Sequence, residues 1–256
     1  DKKEITYKYN FYQKNFKKIR KNLNLIVEAN VVYASDNLGY LYALNYKNKK
    51  LLWAKNLKIP FRSNIKIFEE KIIVADQNNI LYIFNKFDGS QLKFIPTEET
   101  TIKSGFVNSL ALGSDVLLYL NTFGSLYSIN IQNSQINWFS NFKLSLDLNP
   151  TNLFFSNPII ISKDKVIVST DPYIYLLNLN NGSIILKSPI TSIVKPVLSG
   201  NNLFIITKDN LLVCINIDTG KINFSLNIAK EIANFLDTKT KSVSIKSLSI
   251  ANNNLL

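Results

Sequence analysis

The 256-residue chain has no histidine, no methionine, one cysteine and eight glycines. Without histidine there is no Ser-His-Asp or Cys-His catalytic pair, no His-bearing zinc site and no imidazole proton shuttle. The single cysteine, Cys214, can form neither an internal disulfide nor a thiolate metal cage. One cysteine leaves the redox compartment open. No apolar run approaches the ~18 residues a membrane-crossing helix requires. No secretory signal is present, and a chain that starts at Asp1 without any methionine is expected to be a processed or excised piece. P-loop, GxGxxG and EF-hand spacings are missing as well. With 46% apolar and 19% charged residues, disordered and collagen-like structure are excluded. The length suits one large domain or two small ones, enough for a sizeable core.

Arginine is also scarce. Of 30 basic residues, 28 are lysine, leaving Arg20 and Arg62, against 18 acidic residues and a net charge of +12. Half of that charge, +6, lies in residues 1–21. Such a cluster can mark a nucleic-acid or anionic-membrane patch. Direct reading of nucleic acid favours Arg over Lys, so the cluster is read as a solvated edge and no nucleic-acid partner is expected.

What the chain does have is repetition. Leu41-Tyr-Ala-Leu-Asn45 is matched by Leu81-Tyr-Ile-Phe-Asn85, Leu126-Tyr-Ser-Ile-Asn130, Ile174-Tyr-Leu-Leu-Asn178 and Leu212-Val-Cys-Ile-Asn216. The intervals are 40, 45, 48 and 38 residues, the length of a four-stranded propeller blade. Asn45, Asn85, Asn130, Asn178 and Asn216 each fall three positions after the Tyr or Val; Lys49, Gly89, Ser134, Gly182 and Gly220 fall seven after it. Asn-Gly and Asp-Gly at that point predict a tight hairpin turn. Eleven positions after stand Trp53, Lys93, Trp138, Leu186 and Phe224, expected on an outer strand that covers the seam to the next blade. The aligned asparagines are read as strand-end residues bonding the turn backbone, Trp53 and Trp138 as seam packing, and Cys214 as a buried small thiol.

Period-two alternation and abundant Val, Ile, Tyr and Phe predict strands throughout, with Ile228–Leu236 as the one possible helical turn. The expected fold is therefore all-β, a β-propeller of four-stranded antiparallel blades. The reading divides the chain into an outer strand of a preceding blade (1–12), five complete blades (22–57, 62–97, 104–142, 156–190, 194–228) and the start of a following one (243–256). Two partial blades imply a fragment of a longer propeller, because a chain ending inside a strand leaves an unpaired edge.

The units resemble the PQQ-like (quinoprotein-type) propeller repeat. The best copy, Val31–Trp53, places Gly39, Leu41-Tyr42-Ala43-Leu44 and Trp53 where that repeat has its glycine, core strand and tryptophan. Within the superfamily the chain is most similar to the BamB subunit of the outer-membrane β-barrel assembly machinery, through Asn37–Asn45, Trp53-Ala-Lys-Asn56 and Pro60-Phe-Arg-Ser63. That resemblance implies an eight-bladed periplasmic lipoprotein without enzymatic activity or cofactor, tethered to the periplasmic face of the outer membrane by a lipidated cysteine absent from this chain. It implies docking on the periplasmic domains of the barrel insertase, and possible contact with unfolded barrel precursors. It also points to Arg62, with Pro60, Phe61 and Ser63, as the partner-binding inter-blade loop. Arg supplies a planar five-donor fork that Lys lacks. Two departures stand out: the next inter-blade stretch, Thr100–Asn108, has no Asp or Glu where the family places acidic residues, although Glu98 and Glu99 lie just upstream, and the lipidation cysteine is missing.

Three alternatives share the fold. One is a different periplasmic PQQ-like adaptor; a second is a cytosolic WD-type propeller, disfavoured by the lack of Trp-Asp strand ends. The third, a quinoprotein dehydrogenase, would need a catalytic Asp beside the quinone, Ca²⁺ ligands from Glu, Asn and Asp, and usually an adjacent-cysteine disulfide that a single cysteine cannot form. The acidic pairs Glu69-Glu70 and Glu98-Glu99 are expected in turns, where neighbouring side chains diverge.

Overall fold

A computed structural model of the chain describes residues 8, 12, 14–100, 108–143, 154–239, 244–252 and 254–256. The strand expected over 1–12 lies outside the described residues, apart from Lys8 and Tyr12, as do residues 104–107 of the third blade and residue 243. A four-residue helix, α1 (Lys14–Lys17), comes first. Five four-stranded antiparallel sheets follow. The first is β1 (Leu23–Glu28), β2 (Val31–Asp36), β3 (Tyr40–Asn45) and β4 (Lys50–Asn56), and the second is β5 (Lys66–Phe68), β6 (Lys71–Ala75), β7 (Leu81–Asn85) and β8 (Gln91–Ile95). The third comprises β9 (Ser109–Leu112), β10 (Val116–Leu120), β11 (Ser125–Asn130) and β12 (Ile136–Asn141). The fourth comprises β13 (Ile160–Ser162), β14 (Lys165–Ser169), β15 (Ile174–Asn178) and β16 (Ile184–Ser188). The fifth comprises β17 (Val197–Ser199), β18 (Asn202–Ile206), β19 (Leu211–Asn216) and β20 (Ile222–Asn227). In every sheet the strands pair in sequence order, as in a propeller blade. Helix α2 (Ile228–Phe235) is capped by the Asn227 side chain, which accepts from Lys230 N–H at 3.0 Å. A short hairpin, β21 (Ile250–Ala251) and β22 (Asn254–Leu255), ends the chain.

The turn between the third and fourth strands of each blade is larger than the two-residue hairpin the sequence suggests. Gly89 N–H bonds to Asn85 O at 3.0 Å, Ser134 to Asn130 at 2.8 Å, Gly182 to Asn178 at 2.9 Å and Gly220 to Asn216 at 2.8 Å. These are four-residue loops that close through a residue with left-handed backbone, with φ between 58° and 71° in all five blades. A register shift falls at the same repeat position in every blade, between the two residues that precede the asparagine. The asparagine Oδ1 then accepts the N–H groups that the loop leaves free: Lys47 and Asn48 at Asn45, Phe87 at Asn85, Gln132 and Asn133 at Asn130, Asn180 and Asn181 at Asn178, Asp218 and Thr219 at Asn216. Lys49 (φ 58°) and Ser134 (φ 61°) hold a conformation that suits glycine. Lys49→Gly is expected to stabilise the protein by about 0.5–1 kcal/mol, the left-handed cost outweighing the greater freedom of unfolded glycine. A higher urea midpoint with an unchanged slope would show it.

Packing divides the chain into two compact units: Asp1–Leu110 with Asn121–Phe123 and Asp147–Asn152, and Ala111–Leu120 with Gly124–Leu146 and Leu153–Leu256. In the first unit, Tyr33, Leu41, Ala43 and Trp53 of the first blade pack on Ile72, Val74, Tyr82 and Phe84 of the second. Trp53 lies flat on Gly89, so that a Cβ there would meet the ring at 2.5 Å, and its Nε1–H donates to Lys86 O at 3.0 Å. In the second unit Trp138 repeats this on Gly182, also at 2.5 Å, and donates to Leu179 O at 2.8 Å. At the seam between the fourth and fifth blades, Leu186 takes the tryptophan's place against Gly220. A small apolar cavity remains there, bordered by Ile167, Leu176, Leu186, Leu203 and Ile215.

Candidate docking site at the Phe61–Ser63 loop

One end of the blades in the first unit gathers the β2–β3 turn, the β4–β5 connection, the β6–β7 turn and the start of the β8–β9 connection. Gly39, with φ 85°, permits their close approach: Leu57 N–H bonds to its carbonyl at 3.0 Å, and a Cβ would meet Ile59 N and O at 2.8 Å. The β4–β5 connection is then locked by its backbone. Phe61 N–H donates to Asp36 O at 3.0 Å, Arg62 N–H to Ala75 O at 3.0 Å, and Gln77 N–H to Pro60 O at 2.8 Å. Ser63 Oγ accepts from Ala75 N–H at 2.7 Å and donates to Asn64 O at 2.9 Å. Asn64 grips the next blade with both ends of its amide, giving Nδ2–H to Leu110 O and accepting Leu110 N–H, each at 2.8 Å.

These bonds sort the four residues singled out in the sequence. Phe61 and Ser63 are 2% and 0% exposed, so they shape the loop from inside. Pro60 and Arg62 are partly exposed. The Arg62 Nη2 donates to Gln77 Oε1 at 3.3 Å, and burial lowers the guanidinium pKa from its ordinary value. The backbone hook itself is generic: Asn157 N–H bonds to Ser169 O and Ile193 N–H to Ile206 O, each at 2.8 Å, in the fourth and fifth blades. The side chain on the hook is Arg in one blade, Asn in another and Ile in a third. The repeat therefore dictates the backbone at this position and leaves the side chain open.

Beneath the loop lies Asp76, 0% exposed. Its Oδ1 accepts Asn78 and Ile80 N–H at 2.8 and 2.9 Å, and its Oδ2 accepts the Tyr82 hydroxyl at 3.1 Å. Burial raises the carboxyl pKa despite these bonds and the Tyr82 phenol is raised also, again chiefly by burial. Asn79, also fully buried, stitches the turn to its neighbours: its Nδ2 donates to Glu98 O at 3.0 Å, and its Oδ1 accepts from Thr122 Oγ1 at 3.0 Å and Asn108 Nδ2 at 3.2 Å. Glu98 and Glu99 are exposed, and the Glu98 carboxylate accepts from Asn121 Nδ2 at 3.1 Å. Glu99 is close enough to Asp76 to help raise its pKa. The pair thus stands on the same end of the unit as Arg62; residues 101–107 of the acid-free stretch lie outside the described residues.

Asp76, Gln77 and Asn79 are missing from the sequence reading, although a signal existed. Asp36, Asp76, Asn121, Ser169 and Thr207 all fall six positions before the repeat Tyr or Val. In four of the blades that residue accepts from the turn: Asp36 serves Leu38 and Tyr40, Asp76 serves Asn78 and Ile80, Asn121 serves Phe123, and Thr207 serves Leu211. In the fourth blade the turn starts one residue later, at Thr170, whose hydroxyl donates to Tyr173 O.

Comparison with known proteins agrees with this architecture. A family model described as outer membrane protein assembly factor BamB matches residues 14–226. The crystal structure of BamB from Moraxella catarrhalis superimposes with a TM-score of 0.67 at 14% identity, covering 81% of this chain and 64% of that one. The computationally designed Ika8 protein superimposes with a TM-score of 0.66 at 13% identity, covering 91% and 66%. This chain thus spans just under two thirds of the length of either structure, and no curated protein matches it by sequence. The family match covers most of the chain, the matching structures share its fold, and the chain belongs to the BamB family of PQQ-like β-propellers.

Proposed function

We propose that the protein is a non-enzymatic scaffold subunit of the outer-membrane protein assembly machinery. It works at the periplasmic face of the outer membrane, docks on the periplasmic domains of the barrel insertase and assists insertion of β-barrel precursors. The observation that carries this reading is Arg62, a forked cation set on a backbone-locked loop in a BamB-family blade. The loop is held by main-chain bonds and by the buried Phe61 and Ser63, so little order has to be gained when a carboxylate or carbonyl of the partner meets the guanidinium. Glu98 and Glu99 add acidic acceptors on the same end.

Arg62→Glu is expected to weaken association with the purified periplasmic domains at least tenfold, since truncating or reversing an interface arginine commonly costs about 2 kcal/mol or more. Arg62→Lys, which keeps the charge without the fork, should fall between the two. Both variants should retain wild-type tryptophan emission and urea midpoint. A folded Arg62→Glu protein that binds as well as wild type would remove the loop from the interface.

A further inference from the structure

The +6 segment at the start of the chain is not a loose tail where it meets the first blade. Tyr12 donates its hydroxyl to Asp36 Oδ2 at 2.5 Å and its ring meets Tyr40 edge-on, with centroids 5.5 Å apart. Phe16 adds a second edge contact to Tyr40 at 6.4 Å. Asn37 clamps the far end, accepting Asn22 N–H at 2.8 Å and donating to Arg20 O at 3.1 Å. Lys21 folds back over the Tyr12 ring at 4.8 Å and donates to the carbonyls of Phe16 and Lys17. Tyr12 and residues 14–22 thus form a strap laid on the β2–β3 turn.

Between Tyr12 and Val27 there are five cations and no acidic residue. Lys14, Lys17, Lys18 and Arg20 are exposed, and among the described residues none of the four is in an ion pair. Lysines elsewhere do find carboxylates, as in Lys86–Glu28 at 2.8 Å and Lys208–Asp171 at 2.6 Å. The strap also shares its anchor with the docking loop, because Asp36 takes the Tyr12 hydroxyl on its carboxylate and Phe61 N–H on its carbonyl. We infer that this strap is a cationic flank of the Arg62 docking surface, and that the partner domain presents a carboxylate-rich face opposite it. The inference rests on the docking reading and names the chemistry of the partner. Pinning the strap places its charges as a fixed field beside the loop, and a field of that kind acts mainly on the rate of encounter.

The test is a salt series of binding kinetics on the immobilised periplasmic domains, comparing wild type, Arg62→Glu and the triple variant Lys17→Glu/Lys18→Glu/Arg20→Glu. The triple variant is expected to associate at least tenfold more slowly at low salt, to show a flatter salt dependence, and to dissociate within twofold of wild type. Arg62→Glu should instead act largely on dissociation. A folded triple variant with the wild-type association rate and salt slope, alongside a weakened Arg62→Glu, overturns the cationic flank and leaves the docking loop standing. Absence of binding by wild type overturns both. Strap-dependent binding to phosphatidylglycerol vesicles, with unaltered association to the domains, overturns the inference and assigns the strap to lipid.

Discussion

Gly89→Val is expected to destabilise the first unit by about 3–4 kcal/mol, a large share of the about 5–15 kcal/mol that holds a typical domain. Two costs combine. The left-handed backbone at φ 68° is worth about 1–2 kcal/mol against any L side chain, more for a branched one. The new Cβ would stand 2.5 Å from Trp53 Cε3, so the indole has to leave its seat and give up its bond to Lys86 O, at an overpacking cost of about 1–3 kcal/mol. The chain's two tryptophans make this separable by spectroscopy. In a Trp138→Phe background the remaining emission comes from Trp53, which is 8% exposed, and the valine variant should shift it to the red and lower the urea midpoint. Unshifted emission with an unchanged midpoint would mean that the seam does not depend on this contact.

Asp76→Ala is the second large effect, expected at about 3 kcal/mol. It strands two part-buried backbone N–H groups and the buried Tyr82 hydroxyl, each of which costs on the order of 1 kcal/mol when left without an acceptor. Asp76→Asn keeps Oδ1 for Asn78 and Ile80 and lets Tyr82 accept from the new amide, so it should cost far less. The two variants also separate hydrogen bonding from charge. The folded carboxyl titrates above its ordinary value of 3.8, so the native state holds the proton more tightly than the unfolded chain does. Its contribution is most favourable below 3.8, declines as pH rises toward the folded pKa, and is constant above it. Wild type should therefore lose stability relative to Asp76→Asn as pH rises through that window. An invariant difference between them across acid denaturation curves would show that the carboxyl carries no such burial cost.

The repeat made much of the blade legible, because its constraints are local. Asn45 and its four counterparts act within three residues, and the left-handed position sits four residues beyond each of them. The turn itself was misjudged for a physical reason. An Asn-Gly or Asp-Gly pair suits a two-residue hairpin, and it equally suits the last two residues of a four-residue loop closed from an earlier asparagine. Only the hydrogen bond from Gly89 to Asn85 decides between them. The site was legible in part. Arg62 stood out because a chain of lysines uses arginine twice. That Phe61 and Ser63 point inward depends on Asp36 and Ala75, and the grip of Asn64 on Leu110 spans 46 residues. Tyr12 reaching Asp36 is likewise a long-range match between a segment and a turn that share no pattern. Contacts of that kind leave no periodic trace.

The missing indole at the fourth seam has a mechanical consequence. Trp53 and Trp138 each act as a rivet, spanning two blades and hydrogen-bonding the far one. Leu186 packs on Gly220 and on the apolar cluster around Leu176 and Leu203, beside a void, and as an aliphatic side chain it has no hydrogen bond to give the fifth blade. Under tension applied through the last strands, the second unit has one riveted joint and one greased one. The fifth blade will shear away first, while the third and fourth stay fastened together.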